Sequence, residues 1–153
     1  PEPEPEPEAE AEDLPRPRVL VVHGASATGR LVRETLEDFS IADVDTCPDA
    51  VYGFELALQR DYQLFLFALH LPLIDGPLLY ELICKAQKLA GNGIQAPGVI
   101  FVREPSDPPP AEDLNRDARV KGFLMKPLKI ERLLQVVKHA LPRRKKKRNT
   151  LFE

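Results

Sequence analysis

Residues 63–69 read QLFLFAL, and every position after the glutamine is apolar. Side chains along a strand alternate between two faces, so a short run with no polar break reads as a central strand covered on both sides. Residues 18–22 (RVLVV) and 98–102 (GVIFV) are buried runs of the same kind, residues 122–125 (GFLM) form a last strand, and residues 42–47 (ADVDTC) form a short strand with outward acids. Between these runs the period changes to that of a helix. Leu31, Val32, Thr35, Leu36 and Phe39 recur at helical spacing; Pro48 suits a first helical turn, followed by Val51, Phe54 and Leu58 as inward positions. Residues 78–91 (LLYELICKAQKLAG) are strongly amphipathic, with Gly91 as the C-terminal cap. Residues 103–110 (REPSDPPP) form a stiff loop, and its three consecutive prolines delay the next helix to Ala111 at the earliest. That helix has only Ala111, Leu114 and Ala118 as an apolar stripe, which predicts a short, loosely held element. The closing helix presents Ile130, Leu133, Leu134, Val137 and Leu141 inward. Five βα units of this size predict an α/β fold, a doubly wound five-stranded parallel sheet with helices on both faces.

The two ends of the chain differ from this middle. Residues 1–16 hold seven acids against one arginine, with proline alternating with glutamate, and read as an extended, solvated acidic linker. Residues 142–153 hold six bases against one acid and read as a disordered basic tail. The folded part is therefore residues 17–141, nearly neutral and long enough for one core. The chain does not begin with methionine, and we read it as a piece of a longer protein with the Pro-Glu segment as interdomain linker. No apolar run is long enough to span a bilayer and no signal-peptide pattern is present. Cys47 and Cys84 lack metal-ligand spacing and fit small core residues in a reducing, cytoplasmic setting.

In a doubly wound sheet the functional groups collect at the carboxyl ends of the strands. Those ends carry His23 and Gly24, Ala68 to His70, Val102 and Arg103, and Lys126. His23 to Gly29 (HGASATG) invites a dinucleotide reading, with Asp43 and Asp45 about 20 residues on. Only Gly24 and Gly29 are present, and the middle position where backbone must meet a pyrophosphate carries a Cβ. The plainer reading is a strand-to-helix turn with Ser26 or Thr28 as cap. His23 and His70 lie at one rim and supply two imidazoles, half a zinc site without a third ligand.

Residues 65–76 (FLFALHLPLIDG), followed by residues 122–127 (GFLMKP), resemble the receiver domain of two-component response regulators. Pro72, Asp75 and Gly76 match the loop motif after strand three, with Leu71 where methionine is usual. Lys126 and Pro127 match the motif after strand five, and Phe123 takes the aromatic switch position. The resemblance covers about residues 17–141 and implies a CheY-like, flavodoxin-like sheet in the order 2-1-3-4-5. It also implies a phosphoryl acceptor at Ala68, an acidic pair holding Mg²⁺ at His23 and Gly24, and a Ser/Thr at or near Val102. None of these carries the family's residue. Lys126 alone remains of the phosphorylation machinery, and we expect it turned to solvent, a backbone carbonyl or a nearby acid.

These readings predict a non-enzymatic pseudo-receiver without cofactor or metal, a protein–protein interaction and regulatory module of a bacterial signalling protein. The resemblance implies the helix 4, strand 5 and helix 5 face for partners, a second copy included. The rivals are small-ligand sensing in the vacated pocket between His23, Ala68, Val102 and Lys126, and salt-sensitive contact of Arg143 to Arg148 with nucleic acid.

Overall fold

The computed structural model describes residues 16–91 and 96–141. The acidic and basic segments expected at the two ends lie outside the described residues, apart from Arg16, which pairs with Asp43 at 3.3 Å. Five strands, β1 (Arg18–Val22), β2 (Asp43–Cys47), β3 (Leu64–Ala68), β4 (Gly98–Arg103) and β5 (Val120–Met125), alternate with five helices. These are α1 (Ser26–Phe39), α2 (Ala50–Gln59), α3 (Gly76–Leu89), α4 (Glu112–Arg116) and α5 (Ile130–Ala140). All pairings are parallel, in the order β2-β1-β3-β4-β5. This is the doubly wound sheet that the sequence predicts.

The core is divided by the sheet. On one side Phe65, Phe67 and Phe101 meet Ala57 of α2 and Leu79, Tyr80 and Ile83 of α3. On the other side Val19, Val21, Leu64 and Leu66 meet Val32 and Leu36 of α1 and Leu133, Val136 and Val137 of α5. All five residues of β3 are buried, as a central strand requires.

One helix, α2, sits in a different phase from the one expected, while α1 and α5 bury most of the positions expected of them, Val32, Thr35 and Leu36 in the first and Leu133 and Val137 in the second. In α2 the buried residues are Ala50, Gly53, Leu56 and Ala57, while Val51 and Leu58 are exposed and Phe54 is half-buried. The small residues win because α2 lies close on β1: a Cβ on Gly53 would sit 2.7 Å from Val22 Cγ2. The helix starts after Pro48, with the Asp49 carboxylate accepting from the Tyr52 N–H at 2.8 Å. In α5, Val136 and Ala140 are buried and Ile130 is exposed, since Gly122 of β5 leaves room for Val136. Phe39 ends α1 and is exposed. Neither Ser26 nor Thr28 caps α1; the cap position is Ala25, without a side-chain bond.

The short α4 buries none of its residues, as its thin stripe predicts. The chain beyond it is fixed by Arg119, which bonds Asp117 at 2.6 Å and Glu81 of α3 at 2.5 Å and lies 5.2 Å over the Tyr80 ring. The Arg119 guanidinium holds the Asp117 carboxyl below its ordinary range. No described helix is long and apolar enough to cross a membrane.

Gly91 follows α3 at φ +78, where glycine is the favoured residue. Gly76 is needed for a different reason. Its N–H donates to the Leu69 carbonyl at 3.0 Å, and a methyl on its α-carbon would collide with the Ala68 carbonyl oxygen. Gly76→Ala is expected to lower unfolding free energy by about 1–3 kcal/mol in urea titrations, the usual cost of overpacking. Gly24→Ala, where an added Cβ meets only Pro48 O at 4.0 Å, is expected to stay within about 0.5 kcal/mol.

Candidate functional site

The carboxyl edge of the sheet brings the tips of β1, β4 and β5 together through one carboxylate, that of Glu104. Glu104 directly follows β4, and its position is set by a local turn. The Asp107 N–H donates to the Glu104 carbonyl at 3.0 Å, and the Glu104 N–H donates to the Asp107 carboxylate at 2.8 Å. Pro105 stands at the second position of this turn, where its fixed φ suits the geometry. From here Glu104 Oε2 reaches Lys126 Nζ at 2.9 Å. Lys126 is itself tethered, its N–H donating to the Arg103 carbonyl at 3.0 Å, and the Lys126–Pro127 peptide is cis.

His23 completes the cluster from β1. Its N–H continues the ladder to the Cys47 carbonyl at 3.1 Å, and its Nδ1 accepts from the Ala25 N–H at 3.0 Å. An accepting Nδ1 puts the proton of the neutral ring on Nε2. That atom is buried without a hydrogen-bond partner, 4.0 Å from Glu104 Oε2. The ring is therefore held neutral. Burial pushes its pKa down, the Lys126 charge adds to that, and the Glu104 carboxylate opposes it.

The other positions singled out from sequence fall around this cluster. Ala68 ends β3 opposite Val102, and both are buried. Val102 packs in the core beside its β5 partner Leu124, and the next residue, Arg103, is half-buried with an Nε that has no partner. Phe123 is half-buried, its ring 6.0 Å from that of Phe101. Pro72 and Asp75 lie in the loop between β3 and α3, where Asp75 is exposed, 3.7 Å from His70 Nδ1. His70 is half-exposed between Asp75 and Asp107 and shares no partner with His23. Among the described residues no group of three or more His, Cys, Asp or Glu side chains could hold a metal ion.

Mg²⁺ prefers several hard oxygen ligands and dehydrates reluctantly. At the strand ends where a receiver would supply them stand an imidazole at His23, no side chain at Gly24 and a methyl at Ala68. Glu104 is the carboxylate closest to this edge, and Lys126 already holds it. The donor set does not fit the ion. The glycines do not form a phosphate cradle either. Gly29 lies within α1, where a Cβ would make ordinary contact with Thr46, and among the described glycines only Gly91 has a positive φ.

Sequence reasoning left Lys126 to solvent, a backbone carbonyl or a nearby acid, and the structure gives it an acid, Glu104. The available signal was the run Glu-Pro-Ser-Asp at 104–107, which places a turn at the end of β4. A hollow of about 330 Å³ lies between the β3–α3 loop and the chain entering α4, lined by Leu69, His70, Asp75, Pro77, the three prolines 108–110, Ala111, Asp113 and Leu114. None of His23, Ala68, Val102 and Lys126, the residues expected around a vacated pocket, lines it.

The lowered pKa of His23 fixes a sign. Above the ordinary value of 6.5 the ring is neutral in both folded and unfolded chains and costs nothing. As pH falls below 6.5 the unfolded chain takes the proton first, so stability drops until the lowered folded pKa is passed and then levels. His23→Asn, whose amide oxygen can still accept from the Ala25 N–H, is expected to flatten the decline in urea midpoint between about pH 7 and pH 5.

No family model matches the chain. A hybrid signal transduction histidine kinase F from Dictyostelium discoideum is 28% identical over 126 residues, covering 82% of this chain and 11% of that protein. The chain thus spans about a tenth of the relative it matches. The signal receiver domain of a putative Luxo repressor protein from Vibrio parahaemolyticus superposes with TM-score 0.70 at 23% identity, over 90% of this chain and 95% of that one. The Vibrio cholerae chemotaxis protein CheY4 gives TM-score 0.67 at 18% identity, over 83% and 100%. A response regulator receiver protein from Pseudomonas putida gives 0.65 at 23% identity, over 82% and 98%. With its 2-1-3-4-5 parallel sheet and its helices on both faces, the chain has the fold of the response-regulator receiver domain.

Proposed function

We propose that this chain is a pseudo-receiver: a regulatory, protein-binding module of a larger signalling protein that takes no phosphoryl group by the aspartate route and performs no catalysis. The observation that carries this reading is the chemistry at the end of β3. A phosphoryl acceptor must be a nucleophile, and the side chain there is the methyl of Ala68. The charges around it support the same reading, because Lys126 is neutralised by Glu104 within the chain rather than left for an incoming anion.

The partner face on this reading is made by α4, β5 and α5. Met125 and Ile130 are its exposed large apolar side chains, and α4 buries none of its residues, which leaves that helix free to adapt to a partner. The histidine kinase relative and the receiver-fold neighbours support a place in two-component signalling. A second reading, small-ligand sensing, is favoured by the hollow between the β3–α3 loop and α4, a site other than the strand ends at His23, Ala68, Val102 and Lys126, lined by prolines and leucines with Asp75 and Asp113 at its edge. An apolar effector binding there would raise the melting temperature.

Mass spectrometry after incubation with acetyl phosphate and Mg²⁺ is expected to find no added phosphate. Amide NMR spectra with and without beryllofluoride are expected to superimpose around Ala68 and Lys126. A phosphorylated native chain, or Mg²⁺-dependent shifts at those residues, would sink the pseudo-receiver reading.

Partial repair gives an ordered series. Ala68→Asp alone supplies a nucleophile without a metal site and is expected to remain unphosphorylated. Adding His23→Asp and Gly24→Asp supplies the minimum oxygen set for Mg²⁺, and detectable Mg²⁺ binding by calorimetry is expected only in that triple variant.

A further inference from the structure

The apolar residues that α2 turns away from the sheet meet a matching set on α3. The two helices pack side by side on one face of the sheet. The Glu81, Tyr80 and Cys84 flank of α3 faces Arg119 on the β5 side. Its opposite flank, carrying Leu78, Leu82 and Leu89, therefore borders α2, where Val51 and Leu58 stand exposed. These five side chains are 38–88% exposed, large apolar groups on two neighbouring helices of the same face, and grouped exposed apolar surface marks interaction sites.

The loop leading into α3 also holds an exposed leucine in a costly conformation. Leu73 sits at φ +73 with the Ile74 N–H donating to the Pro72 carbonyl at 2.8 Å, a γ-turn of the strained hand. Its side chain is 92% exposed. Strain that holds a leucine out in water is accounted for when something covers it.

Charge selects the occupant. Helical phase puts Glu55 in the middle of the outward ridge of α2 and Lys85 in the middle of that of α3, both exposed among the apolar residues. Neither is in an ion pair among the described residues. The surface is thus self-complementary, an acid on one ridge and a base on the other. A two-fold axis running along the helices would lay α2 of one copy on α3 of the other and set the ridge carrying Glu55 against the ridge carrying Lys85.

We propose that the α2–α3 face is a homodimer interface, and that a second copy of this chain covers it while the α4, β5 and α5 face stays open for a different protein. This goes beyond the pseudo-receiver reading and does not depend on phosphoryl chemistry. The helices are about 15 Å and 21 Å long at 1.5 Å per residue and stand about 10 Å apart. Such a face falls short of the roughly 800 Å² per partner of a standard interface. The dimer is therefore expected to be a weak one, populated only at high protein concentration.

Sedimentation equilibrium of the whole chain from about 5 µM to about 1 mM tests this. The weight-average mass is expected to rise from one chain to two. Leu82→Glu and the single reversals Glu55→Lys and Lys85→Glu are each expected to weaken association about tenfold or more, and the double reversal to restore it to within about threefold. All four changes fall on exposed side chains, and circular dichroism with a melting curve confirms that each variant is folded. A chain that stays monomeric throughout overturns the proposal. So does a dimer that survives these substitutions, or one lost instead through Ile130→Glu on α5.

Discussion

Leu64, Phe65, Leu66 and Phe67 have no surface left in contact with water, and the rest of the molecule is arranged to make that possible. A strand at the centre of a sheet must be covered on both faces, so two helices lie on each side, α2 and α3 against the phenylalanines and α1 and α5 against the leucines and valines. Parallel strands need long crossovers, and those crossovers are the helices themselves. Every strand then ends at the same edge. The residues that follow β1, β4 and β5 are brought together there, although they lie far apart in sequence.

At that edge the chain has settled its own electrostatics. Glu104 neutralises Lys126 and lies beside the buried ring of His23, and the turn closed by Asp107 keeps it there. A half-buried cation without a partner would be costly, and a carboxylate from the neighbouring loop supplies that partner. The aromatic pair Phe101 and Phe123 lies between this edge and the core.

The strands and their order were legible because continuous apolar runs admit few other readings, and because Pro72, Asp75, Gly76, Lys126 and Pro127 carried a resemblance that the neighbouring folds bear out. The phase of α2 was not. In α2 the larger apolar side chains pointed to a wrong stripe, since close approach to Val22 favours Gly53 and Ala57 over Val51 and Leu58. Residue-by-residue hydrophobicity rewards size, whereas a helix lying low on a sheet rewards its absence. Glu104 was hidden for another reason: its role depends on a lysine one strand away and on a turn whose closing residue is a second acid.

Arg119 divides one side of the molecule into parts of unequal firmness. It ties the entry to β5 to Asp117 and to Glu81 of α3, with its guanidinium over Tyr80. Of the five residues of α4 just before it, only Leu114 packs, half-buried, against the core. Opening α4 therefore exposes one leucine and stops at the clamp, leaving the sheet intact. Its backbone amides should exchange with solvent through brief local unfolding, well before the β5 amides that bond to β4. A protein that docks on this side bears the entropy of ordering a single short helix, and meets a β5 strand that is already fixed in place.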